Sequence, residues 1–380
     1  MGRYAQTCPI IYGEGTIKLL GEEAKKLGCT NVMLVSGKTM VKSTTYALCK
    51  QNLIDEGINI VEFNKVVPDP PDYIINEGGS LAKVENVDGI VAVGGGSAMD
   101  AAKAINVLVN NELPINQYFG NPFYTPGVPV IMIVTTSGTG SESTSVAVVT
   151  DTIKNVKNST IGNAALGILD PQTTVTVPPH TTAHTAMDAF SHAAESITAK
   201  IPNPKSEILA KDAIHKIVNY LPIALKDGNN LEARGSLLLA SNFAGIAFND
   251  ALVHLGHAIA HSIGNKFHIT HGIVCALALP EVMIYASGID SSKVKIVGEA
   301  MNLQFSGEES DYAIGEKVAQ GIRLFLRSIA FTSLKDLSIS KEHLIDAAEL
   351  VLEDVCYQFV PKEVSKEEIR NILSNMYDNF

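Results

Sequence analysis

The sequence predicts two domains, an α/β domain over residues 1–178 and an all-helical domain over residues 179–380. Three observations predict this fold class. At 380 residues the chain exceeds the size that one hydrophobic core ordinarily supports. Strand-like apolar runs alternate with helix-like segments in the first half. In the second half the β-branched runs nearly vanish, and long alanine- and leucine-rich stretches replace them.

Four apolar runs predict the strands of a parallel sheet. They are NVMLVSG (31–37), INIVEF (58–63), DGIVAVGGG (88–96) and VPVIMIVTT (128–136). Continuous apolar runs are typical of strands that are buried on both faces. Helix-compatible segments lie at 15–28, 45–57 and 76–87, and a proline-rich loop lies at 67–72. This alternation indicates a doubly wound α/β domain.

The second half predicts helices throughout. Stretches such as EILAKDAIHKIVNYL (207–221) and ARGSLLLASNFAGIAF (233–248) carry apolar residues at helical spacing. Pro178 and Pro179 lie near the predicted boundary between the two domains. Near the C-terminus, Ser365 followed three residues later by Glu368 predicts a capping box at the start of a closing helix.

Composition excludes several classes of partner. The formal net charge is −11 and no basic cluster stands out, which argues against nucleic-acid binding. No uninterrupted apolar run approaches the roughly 20 residues of a membrane helix, and the N-terminus lacks a signal pattern. The five cysteines are scattered without a C-x-x-C pair, so we expect reduced thiols and a cytoplasmic location.

Two segments predict phosphate-binding loops. Gly94, Gly95 and Gly96 follow a strand, and Ser97 begins a helix whose N-terminus favours an anion. Met99 occupies the last glycine position of the usual dinucleotide fingerprint. A tight turn with a capping pair of Ser97 and Asp100 is the alternative interpretation. The second loop also follows a strand and supplies hydroxyls and flexible glycines, over Thr135, Thr136, Ser137, Gly138 and Thr139. Two loops at the ends of two buried strands favour a nucleotide site.

A cluster of histidines predicts a metal site. Nine of the ten histidines lie between His180 and His271. Asp188 and His192 are four residues apart in a helix-compatible segment, so they lie on one helix face. The later stretch HLGHAIAHSIGNKFHITHG adds further candidates: His254, His257, His261, His268 and His271. A carboxylate with several imidazoles can ligate a divalent metal, but periodicity alone does not choose among these histidines. A histidine-rich subunit contact is the alternative.

Taken together, these motifs resemble the iron-containing (group III) alcohol dehydrogenase family over essentially the whole chain. The matching segments are GGGSAMDAAKA (94–104), TTSGTGSE (135–142), MDAFSHAAES (187–196) and GHAIAHSIGNKFHITHG (256–272). The resemblance implies an N-terminal dinucleotide-binding domain and a C-terminal metal-binding domain, an architecture shared with dehydroquinate synthase, with the active site in the cleft between them.

The resemblance also implies roles for individual residues. The metal ligands would be Asp188, His192, His257 and His271, and His261 would lie near the substrate without ligating the metal. We expect His261 to act in catalysis by relaying a proton or positioning the substrate, with a packing histidine as the alternative. The cofactor would lie along the two loops from Gly94 to Asp100 and from Thr135 to Thr139, with Lys157 reaching it. The implied reaction is hydride transfer between a nicotinamide coenzyme and a small to medium primary alcohol or aldehyde. Fe(II) is the expected metal, with Zn(II) as the alternative, and we expect a homodimer or larger homo-oligomer.

Two positions depart from the family pattern. Many members carry an acidic residue after the first long strand, which accepts hydrogen bonds from the adenosine ribose, whereas this chain reads Ser36-Gly37-Lys38. Loss of the carboxylate removes repulsion against a 2′-phosphate, and Lys38 or Lys42 could pair with one. We therefore expect a preference for NADP(H), with NAD(H) as the second choice. The usual proline before the last ligand is Thr270 here, which leaves the ligand intact.

Other functions of the same architecture remain as alternatives. A zinc-dependent polyol dehydrogenase of the glycerol dehydrogenase type is the nearest one. A lyase resembling dehydroquinate synthase would need a basic pocket for a phosphorylated substrate, and no such cluster shows between residues 180 and 271. A nucleotide-sensing protein without catalysis, or a metal-free reductase resembling maleylacetate reductase, would have no reason to keep all four ligands.

Overall fold

The computed structural model describes residue 4, residue 6 and residues 8–201 and 203–380. The chain divides into two compact units, Gln6–Val177 and Pro178–Phe380, the second of which also includes Tyr4. We call them the α/β unit and the helical unit.

The α/β unit contains a six-stranded parallel sheet and a separate antiparallel hairpin. Its strands are β1 (Ile10–Tyr12), β2 (Asn31–Gly37), β3 (Asn59–Val66), β4 (Gly89–Gly94), β5 (Val130–Val134), β6 (Val146–Asp151), β7 (Val156–Ile161) and β8 (Leu166–Leu169). The order across the sheet is β1-β8-β5-β4-β2-β3, and β6 pairs with β7 in the hairpin. The connections leave the neighbouring strands β2 and β4 in opposite directions, to β3 and to β5, and open α/β sheets bind ligands at such a reversal of strand order.

Four helices connect the strands of this unit. They are α1 (Leu20–Lys26), α2 (Thr44–Asp55), α3 (Asp72–Val84) and α4 (Gly96–Val109). The central strands β4, β5 and β8 are buried along their entire length, because helices cover both faces of a parallel sheet. The predicted α/β fold of the first half is therefore confirmed.

Four strands of this unit were not predicted from sequence. β1 and β8 have three and four residues, and such short runs carry no periodicity that a sequence pattern could detect. In the β6–β7 hairpin, buried and exposed positions alternate along β6, so one face packs inward and the other stays exposed. Its backbone also links to the proline-rich loop, since the Thr150 N–H donates to the Pro70 carbonyl at 2.9 Å.

Over residues 178–201 and 203–380, the helical unit contains nine α-helices. They are α5 (Pro179–Thr198), α6 (Pro204–Lys226), α7 (Leu231–Ala251), α8 (Leu255–Phe267), α9 (His271–Ala300), α10 (Asp311–Ser328), α11 (Lys341–Ile345), α12 (Ala348–Glu353) and α13 (Lys366–Asp378). No strand occurs in residues 178–201 or 203–380, so the predicted all-helical second half is confirmed. The predicted capping box is also present, because the side chains of Ser365 and Glu368 each accept from the other's backbone N–H.

Helix α9 forms the centre of the helical unit. It packs against α5, α6, α8, α10 and α13. By length and composition α9 could cross a membrane, although Glu281 interrupts its apolar run, and most of its apolar stretch is buried inside the protein. Helices α7 and α8 pass the same test only if taken as one span, and they are bent by 108°. A core helix of a folded domain meets these criteria equally well.

Candidate metal centre and nucleotide loops

Helix α5 presents three acidic and imidazole side chains to the core of the helical unit. Asp188, His192 and Glu195 follow one another at spacings of four and three residues, so they share one helix face. All three are buried, at 4%, 6% and 0% exposure. A buried carboxylate is costly unless it is paired or binds a metal, so this face needs partners from other helices.

Helices α8 and α9 supply those partners. His257 lies in the first turn of α8, and His271 is the first residue of α9. The next residue, Gly272, allows α9 to approach α5 closely, because a Cβ there would lie 2.2 Å from the His184 carbonyl oxygen of α5. Glycine at this position therefore lets His271 reach Asp188.

The three histidines converge on one carboxylate oxygen. From Asp188 Oδ1, the distances are 3.4 Å to His271 Nε2, 3.8 Å to His257 Nε2 and 3.9 Å to His192 Nδ1. The rings of His192 and His257 are stacked with centroids 4.5 Å apart, and Phe248 stacks on the other face of His192 at 4.3 Å. The four residues that the sequence predicted as ligands are thus brought together.

The donor set fits a divalent metal. Asp188 Oδ1 and His192 Nδ1 are both buried without a hydrogen-bond partner. Unpaired buried polar atoms are rare in proteins and call for an explanation such as a bound ion. One carboxylate with imidazoles is a set that Fe(II) or Zn(II) accepts. A cation among these atoms would satisfy both orphaned groups.

The protonation states also suit metal ligation. Burial lowers the pKa of His192 to about 3, so this imidazole is neutral at pH 7 and offers a lone pair. Burial by itself raises the pKa of Asp188, but the neighbouring His192 and His271 outweigh it and hold the pKa below the usual range. Metal ligands must be deprotonated, and both of these groups are.

Glu195 holds His257 in place. Its carboxylate accepts from the backbone N–H of Gly256 at 2.6 Å and from that of His257 at 3.3 Å, and it pairs with His257 Nδ1. Burial opposes ionisation, but His254, His257 and the Gly256 N–H lower the pKa of Glu195 to about 2. The charged carboxylate fixes the His257 tautomer so that Nε2 is the atom that faces Asp188.

His261 lies beside the cluster rather than within it. Its ring stacks on His271 with centroids 5.3 Å apart, and its Nδ1 is 3.2 Å from Asp354 Oδ2. The side chain is half-buried, so one end remains accessible to a substrate. Two other histidines lie outside the proposed ligand set. His254 is buried, with its Nδ1 3.3 Å from Glu195 Oε1 and its Nε2 3.0 Å from the Thr198 hydroxyl, and His268 is exposed at the end of α8.

In the α/β unit, the predicted cofactor segments line one edge of the sheet. β2, β4 and β5 are neighbouring parallel strands, so their carboxyl ends meet at the same edge. Gly37 ends β2, Gly94 ends β4, and Thr135 follows β5 with its N–H donating to the Gly94 carbonyl at 3.0 Å. Lys38 is exposed at this edge. The structure thus brings together segments that are about 100 residues apart in the sequence.

The two loops pack directly on each other. A Cβ at Gly95 would lie 2.6 Å from the Thr136 hydroxyl, and a Cβ at Gly96 would lie 2.6 Å from Thr139 Cγ2. Gly95 is the N-cap of α4, so the free backbone N–H groups at the start of this helix lie at the edge of the sheet where the two loops meet. Ser97, Thr136 and Thr139 are half-buried, whereas Thr135, Ser137 and Gly138 are buried.

Three predicted cofactor residues have internal partners. Met99 is 1% exposed and packs in the core. Asp100 accepts from the Ser141 hydroxyl at 2.6 Å and from the Val148 N–H at 3.1 Å, so the alternative capping pair with Ser97 does not form. Lys157 on β7 pairs with Asp69 at 2.7 Å. Through these contacts Asp100 and Lys157 connect the hairpin to helix α4 and to the proline-rich loop.

Some residues of the centre escaped the sequence analysis. Glu195 lies in the quoted segment MDAFSHAAES, and its spacing of three from His192 was a usable signal. Cys275 lies one helical turn after His271, with Sγ 3.4 Å from His271 Nε2. Asp354 is 93 residues from His261, and no local pattern links them.

Comparisons with known proteins identify the family of this chain. Residues 8–171 match the model of the iron-containing alcohol dehydrogenase family, and residues 182–377 match that of its C-terminal part. The chain belongs to the iron-containing alcohol dehydrogenase family. The NAD-dependent methanol dehydrogenase of Bacillus methanolicus is 32% identical over 370 residues, which cover 96% of this chain and 97% of that one.

Solved structures of alcohol dehydrogenases share the fold. A 1,3-propanediol oxidoreductase superposes with a TM-score of 0.95 at 31% identity, covering 99% of this chain and 100% of that one. The alcohol dehydrogenase from Oenococcus oeni gives 0.94 at 30% identity, covering 99% and 100%. This alcohol dehydrogenase is therefore a nicotinamide-dependent oxidoreductase, and the zinc polyol dehydrogenase alternative is not favoured.

Proposed function

We propose that Asp188, His192, His257 and His271 hold Fe(II) and that the enzyme interconverts small to medium primary alcohols and aldehydes. The observation that carries this proposal is the convergence of three imidazoles on the unpaired Asp188 Oδ1. When bound, the metal would act as a Lewis acid that polarises the oxygen of the substrate. The relatives named for methanol and 1,3-propanediol support a short primary alcohol as substrate.

The chain's own residues would do the remaining work. Glu195 orients His257, and Phe248 covers the outer face of His192, so both imidazoles are held in one rotamer. Asp354 lies against His261 Nδ1, which leaves His261 Nε2 for the substrate side. We propose that His261 passes the hydroxyl proton between substrate and solvent, because it is half-buried beside His271.

A pair of histidine variants tests the ligand set. His271→Ala should lose both bound iron and butyraldehyde reduction, whereas His268→Asn, three residues earlier and exposed, should keep both. Asparagine tolerates the left-handed backbone that His268 adopts, with φ of 55°. Metal content by mass spectrometry and turnover of the anaerobically loaded protein are the measurements. Full activity of a metal-free His271→Ala protein would exclude the ligand assignment.

Coenzyme choice is a separate proposal. We propose a preference for NADP(H), and the proposal rests only on Gly37 and its neighbour Lys38. No carboxylate at position 37 would repel a 2′-phosphate, and Lys38 is exposed beside it. The named methanol dehydrogenase is NAD-dependent, which favours NAD(H) instead. A Cβ at position 37 would lie 3.0 Å from the Val66 carbonyl oxygen, so the close approach of β3 is a second reason for glycine.

The coenzyme proposal has a direct test. Gly37→Asp should shift the ratio of kcat/KM for NADPH over NADH towards NADH by about tenfold or more, because the added carboxylate would repel the 2′-phosphate and compete for Lys38, and a charge-assisted contact is worth roughly 1.5–3 kcal/mol. Lys38→Met should shift it in the same direction. A wild-type enzyme that already prefers NADH would reject the proposal and leave Gly37 as a packing residue.

Two further expectations belong to the proposal. All five cysteines are free and buried, which supports a reducing compartment and hence the cytoplasm. A homodimer or larger homo-oligomer is proposed from the family resemblance, and light scattering after size exclusion measures it directly.

A further inference from the structure

One side chain in the metal centre has no role in the proposed ligand set. Cys275 lies on α9, four residues after His271, so one helical turn places both on the same face. Its Sγ lies 3.4 Å from His271 Nε2 and 3.9 Å from His257 Nε2. The residue is 1% exposed. Its thiol therefore lies among the ligands and is shielded from solvent.

The spacing of these atoms matches that of ligands around one ion. Metal–ligand bonds of about 2.0–2.3 Å place neighbouring donors of a tetrahedral site about 3.3–3.8 Å apart. Single donor atoms of Asp188, His257, His271 and Cys275 all lie within 4.8 Å of one another. The separations involving Sγ, 3.4 and 3.9 Å, equal those between Asp188 Oδ1 and the two histidines, within 0.1 Å. By distance, Cys275 is placed as a ligand would be.

The thiol cannot keep its present contacts once a cation is bound. Its neighbours are the Nε2 atoms of His257 and His271, whose lone pairs the metal would take. The other acceptor beside the buried thiol is the Asp188 carboxylate, which is itself a proposed ligand of the cation. A thiol that coordinates such an ion loses its proton and binds as thiolate. The orphaned Asp188 Oδ1 independently marks the same position as a cation site.

We propose that Cys275 is an additional metal ligand of this enzyme, bound as thiolate through Sγ. The proposal rests on the metal site proposed above. A thiolate would bias the site towards softer divalent ions such as Zn(II), Fe(II) and Co(II), and away from Mn(II) and Mg(II). The proton of the thiol leaves to solvent when the sulfur–metal bond forms, and no redox change is involved.

Cobalt substitution of the full-length enzyme tests this inference without an activity assay. Cobalt bound to thiolate shows a charge-transfer band in the near ultraviolet in addition to its visible ligand-field bands. We expect both in the wild type. Cys275→Ser should keep the ligand-field bands and lose the charge-transfer band. The matched control is Cys49→Ser on α2, a free and buried cysteine outside both groups of potential metal ligands, and this variant should keep both bands.

The outcomes separate the two proposals. Ligand-field absorption without a charge-transfer band in the wild type would overturn the role of Cys275 and leave the four-residue site standing. No cobalt binding at all would overturn both. If Cys275→Ser fails to fold, X-ray absorption of the wild-type zinc protein still decides, because zinc–sulfur and zinc–nitrogen distances differ, at about 2.3 and 2.0–2.1 Å. Absence of a sulfur shell there would overturn the proposal.

Discussion

At the scale of single residues, the proposed metal centre depends on side chains that contact the ligand residues but are not ligands themselves. Glu195 is the clearest case, since it is 0% exposed and binds two backbone N–H groups and one imidazole nitrogen around His257. Its pKa is lowered to about 2, so its contribution to folding is present above its unfolded pKa near 4.3 and is lost only as pH falls towards 2. At neutral pH it acts as a fixed negative charge.

Glu195→Gln should weaken metal binding by about 10–100-fold, the usual cost of removing a partner that orients a histidine ligand. Glutamine keeps an oxygen for the Gly256 N–H but loses the charge that holds the His257 ring. Competition with a fluorescent chelator measures the metal affinity. The exposed Glu207→Gln on α6 is the control, and an affinity that is equal in both variants would assign Glu195 to folding alone.

At the scale of elements, the centre is a product of how closely three helices approach one another. Asp188 and His192 are fixed by one helix, but their distance from His271 depends on the packing of α5 against α9. That packing rests on Gly272, whose missing side chain makes room for the His184 carbonyl. A change at this glycine moves an entire helix rather than a single side chain.

Gly272→Ala should therefore separate α5 from α9 and impair metal binding. A Cβ at 2.2 Å from a backbone oxygen cannot be accommodated by a rotamer change, and overpacking of this kind costs about 1–3 kcal/mol or more. Gly288→Ala on the same helix is the matched control, because its Cβ would meet nothing within 4 Å. It should leave metal affinity unchanged and be neutral or stabilising by up to about 1 kcal/mol. Urea unfolding and metal titration of both variants provide the comparison, and equal behaviour would disprove the helix-spacing argument.

The same scale explains what sequence could and could not predict. The spacing of Asp188 and His192 predicts that they share one helix face. The glycine and threonine loops after two strands predict a nucleotide-binding site at one edge of the sheet. Family resemblance then selected His257 and His271 from five histidines that periodicity left equivalent. Asp354 and Phe248 reach the site from distant segments, and only the tertiary fold shows that they do. Strand β8 was missed because four residues are too few to show a period.

At the scale of the whole molecule, the proposed metal ligands all belong to the unit Pro178–Phe380, and the proposed nucleotide-binding loops belong to Gln6–Val177. The bound metal and the bound coenzyme should therefore each stabilise mainly the unit that binds it. A ligand that binds only the folded state adds RT ln(1 + [L]/Kd), about 2.7 kcal/mol at 100 times Kd. Metal and coenzyme should act on separable parts of the chain.

Removal of the metal with a chelator should thus increase hydrogen exchange in peptides from α5, α8 and α9 and leave the sheet peptides of β2, β4 and β5 unchanged. Hydrogen exchange with mass spectrometry on the loaded and stripped protein gives the map. Re-addition of Zn(II) or Fe(II) should restore protection. A loss of protection that is uniform over both units would contradict the assignment of the metal to the helical unit.

Helix α9 has a consequence for biosynthesis. This apolar core helix is complete at Ala300, but α10 and α13, which cover part of it, end only at Ser328 and Asp378. Until translation reaches those residues, the part of α9 that α10 and α13 cover stays exposed in the nascent chain, although α5, α6 and α8 have already been made. Exposed apolar surface of this kind promotes aggregation. A chain truncated before α13 should therefore depend on chaperones. The last 80 residues include the two helices, α10 and α13, that complete the burial of α9.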